Sequence, residues 1–364
     1  MQTVNLDLKE KSYDIIIGKN ILKKANSFVK EQHYSKIIIL ADENALKFYQ
    51  DLIADNFKFK YEIITIKSGE KSKSFENLEK TANQILEKEI DRKTALIAFG
   101  GGVVGDFCGF LASILLRGID FIQIPTTLLS MVDSSVGGKC AINSKFGKNL
   151  VGSFYQPKLV AIDLNFLNSL NERQFLSGYA EIIKYGLIWD QEFFDYLDAN
   201  KKQIISKDSK VLEYIIAKSC QIKADIVSKD EKELSIRALL NYGHTFGHTL
   251  ETATNYSDEL FHGEAVAIGM VMAAQLSHRK NLMSQTDLSK IKNHLKLIGL
   301  RTSANQIRES WDIEELSSAV KKDKKNTHGK LKFILLKEIG QAYIDDQITI
   351  KDFQKTIQLN LENN

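Results

Sequence analysis

Along the first half of the chain, short β-branched apolar runs alternate with stretches in which apolar residues recur every three or four positions. VNLDL and SYDIIIG read as a hairpin. KIIILAD (36–42), YEIITIK (61–67), TALIAFG (94–100), DFIQIP (120–125) and LVAIDL (159–164) read as buried strands, being nearly continuous apolar runs. FENLEKTANQILEKEI, between two of them, has helical spacing. Strand, helix and strand repeated in this way predict a mainly parallel sheet covered on both faces. After about residue 171 the pattern changes. From 172 to roughly 296, runs such as VLEYIIAKSCQIKADIV and GEAVAIGMVMAAQLSH keep the helical spacing and predict an all-helical second domain. One late run, KLKFILLKEIG (330–340), reads as a strand before a final amphipathic helix.

Length supports the division, because at 364 residues a single core has usually split. The expected domains are 1–171, α/β, and 172–364, mainly helical. No repeat or low-complexity linker separates them, so a fixed interface with a cleft is expected. The composition is 43% hydrophobic and 26% charged, and the net charge of +3 is spread over interspersed acids and bases. Neither a nucleic-acid partner nor an anionic membrane is expected from it. Three cysteines without a CxxC pattern argue against a disulfide framework or a thiolate zinc site and suit a reducing compartment. The N-terminal stretch has no apolar signal core, and no run is long enough to span a membrane. A soluble, cytoplasmic protein is the expectation.

Candidate chemistry is densest at 237–264, RALLNYGHTFGHTLETATNYSDELFHGE, which holds three of the chain's seven histidines. His244 and His248 stand four apart in a run with helical spacing (Leu239, Leu240, Phe246, Leu250), so one helix face carries both rings and they can hold a divalent metal. A zincin-type HExxH would need Glu where Thr245 stands. His262 follows a polar turn and can fold back as a third nitrogen. In GYAEIIKYG, Glu181 and Lys184 share a helix face. They form either a weak ion pair or a site in which Glu181 adds the anionic ligand, giving His₂Glu with open positions.

GGGVVG (100–105) follows a predicted strand and precedes the helical DFCGFLASILL. It reads either as a tight turn or as a loop whose N–H groups and helix dipole receive a pyrophosphate. Asp42, ending an earlier strand, is placed to accept from ribose hydroxyls, which favours NAD over NADP. PTTLLSMVDSSVGGK (125–139) lies just beyond another strand's carboxyl end, where open α/β sheets bind ligands. The loop sits mid-domain rather than after the first strand, which departs from ordinary Rossmann order. Lys139, Lys148, Asn149, Lys184, Lys223 and Arg237 form a basic, polar set in glycine-rich or helical contexts.

Taken in order, SGEKSKS, GGGVVGD, RGIDFIQIPTTLLSMVDSSVGGK, FGKNLVGSFYQP, GYAEIIKYG, NYGHTFGHTLE, HGEAVAIGM and DKK followed by FILLKEIG resemble the 3-dehydroquinate synthase family over nearly the whole length. The resemblance implies a homodimeric, NAD- and zinc- (or Co²⁺-) dependent enzyme of the shikimate pathway acting on a sugar phosphate, 3-deoxy-D-arabino-heptulosonate 7-phosphate. The family oxidises a substrate hydroxyl, eliminates phosphate with the substrate's own phosphate as base, reduces the ketone, opens the ring and closes a carbocycle by an aldol step.

The resemblance further implies Glu181, His244 and His262 as metal ligands, with His248 a substrate contact instead. It implies substrate or phosphate contacts at Lys139, Asn149, Arg237 and Lys324, with the choice between Lys324 and Lys325 open. Lys184, Lys223 and Asn241 would hold carboxylate and hydroxyl groups, Asp133 would meet the substrate near the metal, and Arg117 would reach the neighbouring subunit's phosphate site. For NAD it implies Asp42, Glu70, Lys73, Gly101, Gly102, Val103, Asp106, Thr126, Thr127, Lys148 and Ser169. Ser169-Leu170-Asn171 stands where Thr-Leu-Pro is common, and Cys140 where Thr is usual. A metal-dependent polyol dehydrogenase, another sugar-phosphate cyclase (aminodehydroquinate or inosose synthase) and a non-catalytic binding protein are the alternatives. A simple dehydrogenase has little use for the cation set.

Overall fold

A computed structural model describes residues 1–321 and 331–362. The chain forms two compact units, Met1–Asn171 with Leu212–Lys232, and Glu172–Val211 with Glu233–Asn364. The first contains a seven-stranded sheet in the order β1-β2-β9-β6-β5-β3-β4. Its strands are β1 (Gln2–Leu6), β2 (Tyr13–Gly18), β3 (Lys36–Asp42), β4 (Glu62–Ile66), β5 (Thr94–Gly100), β6 (Asp120–Pro125) and β9 (Leu159–Asp163). β1 and β2 pair antiparallel as the expected hairpin, and every other pairing in the sheet is parallel. β5 and β9 are buried at every position, which explains their unbroken apolar runs: helices cover both faces.

Register brings the carboxyl ends of the central strands together. Ala41 of β3 stands opposite Phe99 of β5, and Gly100 opposite Pro125 of β6. Asp42, the glycine loop and Thr126 therefore share one edge of the sheet. The helix Gly102–Ile114 that leaves this edge buries Val104, Phe107, Cys108 and Leu111 in a core with Leu96, Ala98 and Phe121. Each large apolar side chain so buried contributes about 1.5–3 kcal/mol, so the N-terminus of the helix is firmly anchored under the loop.

A hairpin of β7 (Lys139–Ser144) and β8 (Gly147–Phe154) was not legible in the sequence. Only Cys140 and Ile142 of β7 are buried, and β8 has no buried position, so the apolar pattern that marks a strand is nearly missing. Leu212–Lys232, most of the helix Ser209–Lys229, is a second difference, since the expected boundary put it with the second domain. It joins the first unit through contacts such as the Cys220 thiol donating to the Met131 carbonyl at 3.4 Å. Helical periodicity defines an apolar face but not the core that will accept it.

Among its described residues the second unit is helical, with one added hairpin. The run expected as a strand forms β10 (Leu331–Glu338), which pairs antiparallel with β11 (Gln341–Ile348), unforeseen because only Ile348 of it is buried. The helix His262–Arg279 is buried continuously from Gly263 to Ser277 and packs against the helices Glu172–Trp189 and His244–Ala253. A helix apolar on every side must be central, and this one carries His262 at its start. Among the described residues no helix is long and apolar enough to cross a membrane. Cys108, Cys140 and Cys220 are buried and free.

Candidate active site

In the second unit, three elements converge on a donor group in which Glu181 and His244 are buried and His262 is half-buried. Glu181 lies mid-helix in Glu172–Trp189 with no exposed surface. His244 opens the helix His244–Ala253, and His262 opens the next. The spacing of Leu239, Leu240, Phe246 and Leu250 suggested one continuous helical run, which the structure corrects. A 3-10 helix, Ile236–Asn241, ends before Gly243, whose left-handed φ of 80° turns the chain so that His244 starts a new helix. Glu181 Oε1 lies 3.4 Å from His262 Nε2 and 3.7 Å from His244 Nε2, and one donor atom from each residue falls within 4.8 Å of the others. The other oxygen of Glu181 receives the Lys184 ammonium, which is also buried. Ion pair and metal ligand are thus compatible roles, one on each carboxylate oxygen.

The far nitrogens of both rings are held as well. His244 Nδ1 lies 3.2 Å from the Tyr242 carbonyl, and His262 Nδ1 3.4 Å from Glu251 Oε1. Burial opposes a charge on His262, but Glu251 and Glu181 overcome it and push its pKa up to about 10. Two buried carboxylates around one imidazole call for a cation, and one carboxylate with two imidazoles is the donor chemistry of zinc or cobalt. The residues therefore fit a divalent metal. His248 lies outside this donor group; its Nε2 stands 4.0 Å from Glu251 Oε2. Arg237, almost fully buried, and Asn241 sit on the 3-10 helix, where Asn241 Nδ2 donates to Glu233 Oε1 at 2.7 Å. Lys324 and Lys325 lie outside the described residues.

In the first unit, Gly101 caps the helix Gly102–Ile114. A Cβ on Gly102 would come within 2.9 Å of Ser134 Oγ, and one on Gly101 within 3.3 Å of Thr127 Cγ2, so only glycine leaves the amide edge open to a ligand. Such a cradle fits a dinucleotide pyrophosphate. Asp42 caps the helix Glu43–Asn56, its Oδ1 accepting from Asn44 N at 2.9 Å and Ala45 N at 3.0 Å, while Ser68 Oγ donates to the same carboxylate. Thr126 N donates to Gly100 O, Thr127 shares a hydrogen bond with Ser130, and Ser169 Oγ donates to Phe166 O.

Beside the loop, Lys73 Nζ reaches Asp106 Oδ2 at 2.6 Å and Asn149 Oδ1 at 2.5 Å, with Glu70 Oε1 at 3.6 Å. Burial opposes the Lys73 charge, yet Asp106 and Glu70 raise its pKa above the ordinary lysine value; burial likewise lifts Asp106 against the pull of Lys73. Asn143, which no motif singled out, knits this group together. It donates to Glu70 Oε1 at 2.9 Å and accepts from Asn149 N at 2.9 Å. Lys223 Nζ lies 2.6 Å from Asp133 Oδ1. Val103 lies in the first turn of the capped helix and Lys148 on β8.

Lys139, at the start of β7, and Arg117 are exposed. Arg117 follows Leu116 in the left-handed region, at φ 68° and 49°. Strain of about 1–3 kcal/mol per such residue is typical of functional segments. Glu251 is the other residue missed by sequence reasoning: it stands in the quoted HTFGHTLE but resembles any acid on a helix until His262 folds back beside it.

Both the sheet with its glycine cradle and the helical unit with its Glu–His–His group belong to the fold of the sugar-phosphate cyclases. A 2-deoxy-scyllo-inosose synthase complexed with carbaglucose-6-phosphate, NAD⁺ and Co²⁺ superimposes with a TM-score of 0.88 at 26% identity, covering 99% of this chain and 100% of that one. The 2-epi-5-epi-valiolone synthase of Streptomyces hygroscopicus, with NAD⁺ and Zn²⁺ bound, gives 0.88 at 25% identity, covering 98% and 99%. Within that class, residues 63–177 match the model for the 3-dehydroquinate synthase N-terminal region and 178–326 that for its C-terminal region. The 3-dehydroquinate synthase of Rhizobium leguminosarum bv. trifolii is 46% identical over 354 residues, 96% of this chain and 94% of that protein. The chain belongs to the 3-dehydroquinate synthase family.

Proposed function

We propose that this chain converts 3-deoxy-D-arabino-heptulosonate 7-phosphate to 3-dehydroquinate and phosphate, as a cytoplasmic homodimeric lyase that uses NAD⁺ and Zn²⁺ or Co²⁺. The carrying observation is the Glu181–His244–His262 donor group, closed round the buried Glu181, with the Lys184 ammonium on the same carboxylate. A site for a neutral polyol has no need of that second cation, whereas an acid phosphate substrate does. Glu181, His244 and His262 would hold the ion, which supplies Lewis acidity toward a substrate oxygen. The Gly101–Gly102 cradle, Asp42 and the Lys73–Asp106 pair would hold NAD⁺, which supplies a hydride acceptor returned to its starting state each turnover.

The chain's own groups bind and orient. Lys184, Lys223 and Lys73 each face a carboxylate, which offsets the cost of burying an ammonium. Lys184 and Lys223 would hand those charges to substrate oxygens. His248 and Asn241 would hold substrate hydroxyls, and Lys139, Asn149 and Arg237 the phosphate or carboxylate. Placing cations where negative charge sits or develops is commonly worth several kcal/mol of barrier.

A second reading, a cyclase acting on a different sugar phosphate, is favoured by the two structural neighbours just described. The deciding assay mixes the chain with the heptulosonate phosphate, NAD⁺ and metal. Phosphate release without net NADH absorbance is expected, and no release, with turnover of another sugar phosphate, would favour the second reading. Chelation should stop release and Zn²⁺ or Co²⁺ restore it. Lys184→Ala and His262→Ala should each lose at least about 100-fold in kcat/KM while keeping their circular dichroism; near-full activity in either would sink the assignment.

A further inference from the structure

We infer that Glu251 is a positioning residue of the metal centre, its carboxylate fixing the ring of His262 from behind. The inference rests on the reading that Glu181, His244 and His262 hold a metal. His244, His248 and Glu251 stand at successive steps of four and three along the helix His244–Ala253, so they share a face. Glu251 is only 5% exposed although it lies near the end of that helix. Its Oε1 lies 3.4 Å from His262 Nδ1, and its Oε2 4.0 Å from His248 Nε2. The opposite nitrogen of His262, Nε2, is the one that faces Glu181 Oε1 at 3.4 Å.

Neutral imidazole carries its proton on one nitrogen only, and a metal needs the other one bare. An acceptor at Nδ1 keeps the proton there, which leaves Nε2 to donate its lone pair and makes it a better donor. The same contact stops the ring rotating away, as the Tyr242 carbonyl does for His244 at 3.2 Å. At Nδ1 each ring thus has its own acceptor, a carbonyl for His244 and a carboxylate for His262. A buried carboxylate is costly without partners, and the His262 imidazole is one that Glu251 has.

The test is metal affinity rather than turnover. Zn²⁺ is titrated into the metal-free full chain against a chromophoric chelator, and Co²⁺ is followed by its ligand-field absorption. Glu251→Ala should weaken binding about 10–100-fold and shift the cobalt spectrum. Glu251→Gln, whose amide oxygen can still accept from Nδ1, should fall in between and serves if the alanine variant does not fold. Binding within about twofold of the parent in the folded variants would overturn the inference. A parent chain that bound neither ion tightly would instead overturn the metal reading, so the two failures are distinguishable.

Discussion

Gly243 shows how one residue sets the direction of a metal-ligand candidate. Its φ of 80° is open to glycine at little cost, and a Cβ there would lie 2.7 Å from Met270 Cγ and 2.8 Å from Val266 O. Backbone strain and a clash with a buried helix act together in Gly243→Ala, which should destabilise the protein by roughly 2–4 kcal/mol. Urea denaturation would measure this, and a change under about 0.5 kcal/mol would contradict it. The histidines themselves were legible, because imidazoles are scarce and helical spacing is a local property. The left-handed break between Leu240 and His244 was not, since the apolar spacing runs through it without interruption. Glu251 and Asn143 were hidden for a related reason: each looks like a surface residue until a distant segment arrives.

Among elements, the helix carrying Glu181 and Lys184 is tied to its neighbours by a buried polar chain. Tyr179 Oη lies 2.8 Å from His294 Nε2, and His294 Nδ1 2.9 Å from Asp198 Oδ1, joining the helices Glu172–Trp189, Gln285–Ile298 and Gln191–Ala199. Burial lowers the His294 pKa to about 4, only partly offset by Asp198, with Lys201 and Lys290 also opposing its charge. The unfolded chain takes up this proton near pH 6.5 and the folded chain only near pH 4. Stability present above 6.5 is therefore lost as pH falls through that window, by roughly 3 kcal/mol. Asp198 acts in the same direction at lower pH: burial would raise its pKa, but Lys201 and His294 hold it below the usual carboxylate range. Urea titrations from pH 7.5 to 4 should show the loss in the parent and a flatter profile in His294→Gln. Identical slopes would exclude His294 as the cause.

For the whole molecule, the homodimer reading gives Arg117 a specific role. The strained left-handed pair Leu116–Arg117 holds the arginine on the surface, away from the sheet core. If each active site takes Lys184 from its own chain and Arg117 from its partner, the two defects complement each other. Co-expressed Arg117→Ala and Lys184→Ala chains should then recover about one quarter of parental phosphate release, since half of the random dimers are mixed and each has one complete site. Each variant alone should be nearly inactive, and a mixture no better than either would rule out the shared site.

What the sequence by itself determined was local. The parallel strands follow from unbroken apolar runs, the helices from spacing, the loop from three glycines after a strand, and the candidate histidines His244, His248 and His262 from their rarity and placement. The family resemblance added the roles that local pattern left open, Glu181 as a ligand among them. Tertiary structure alone decided that Leu212–Lys232 packs with the first unit, that the weakly apolar β7, β8 and β11 form hairpins, and that Glu251 stands behind His262. The physical reason is the same in each case. Periodicity reports which face of an element seeks burial, but its partner is chosen by contacts among residues far apart in the chain, as between positions 181 and 262.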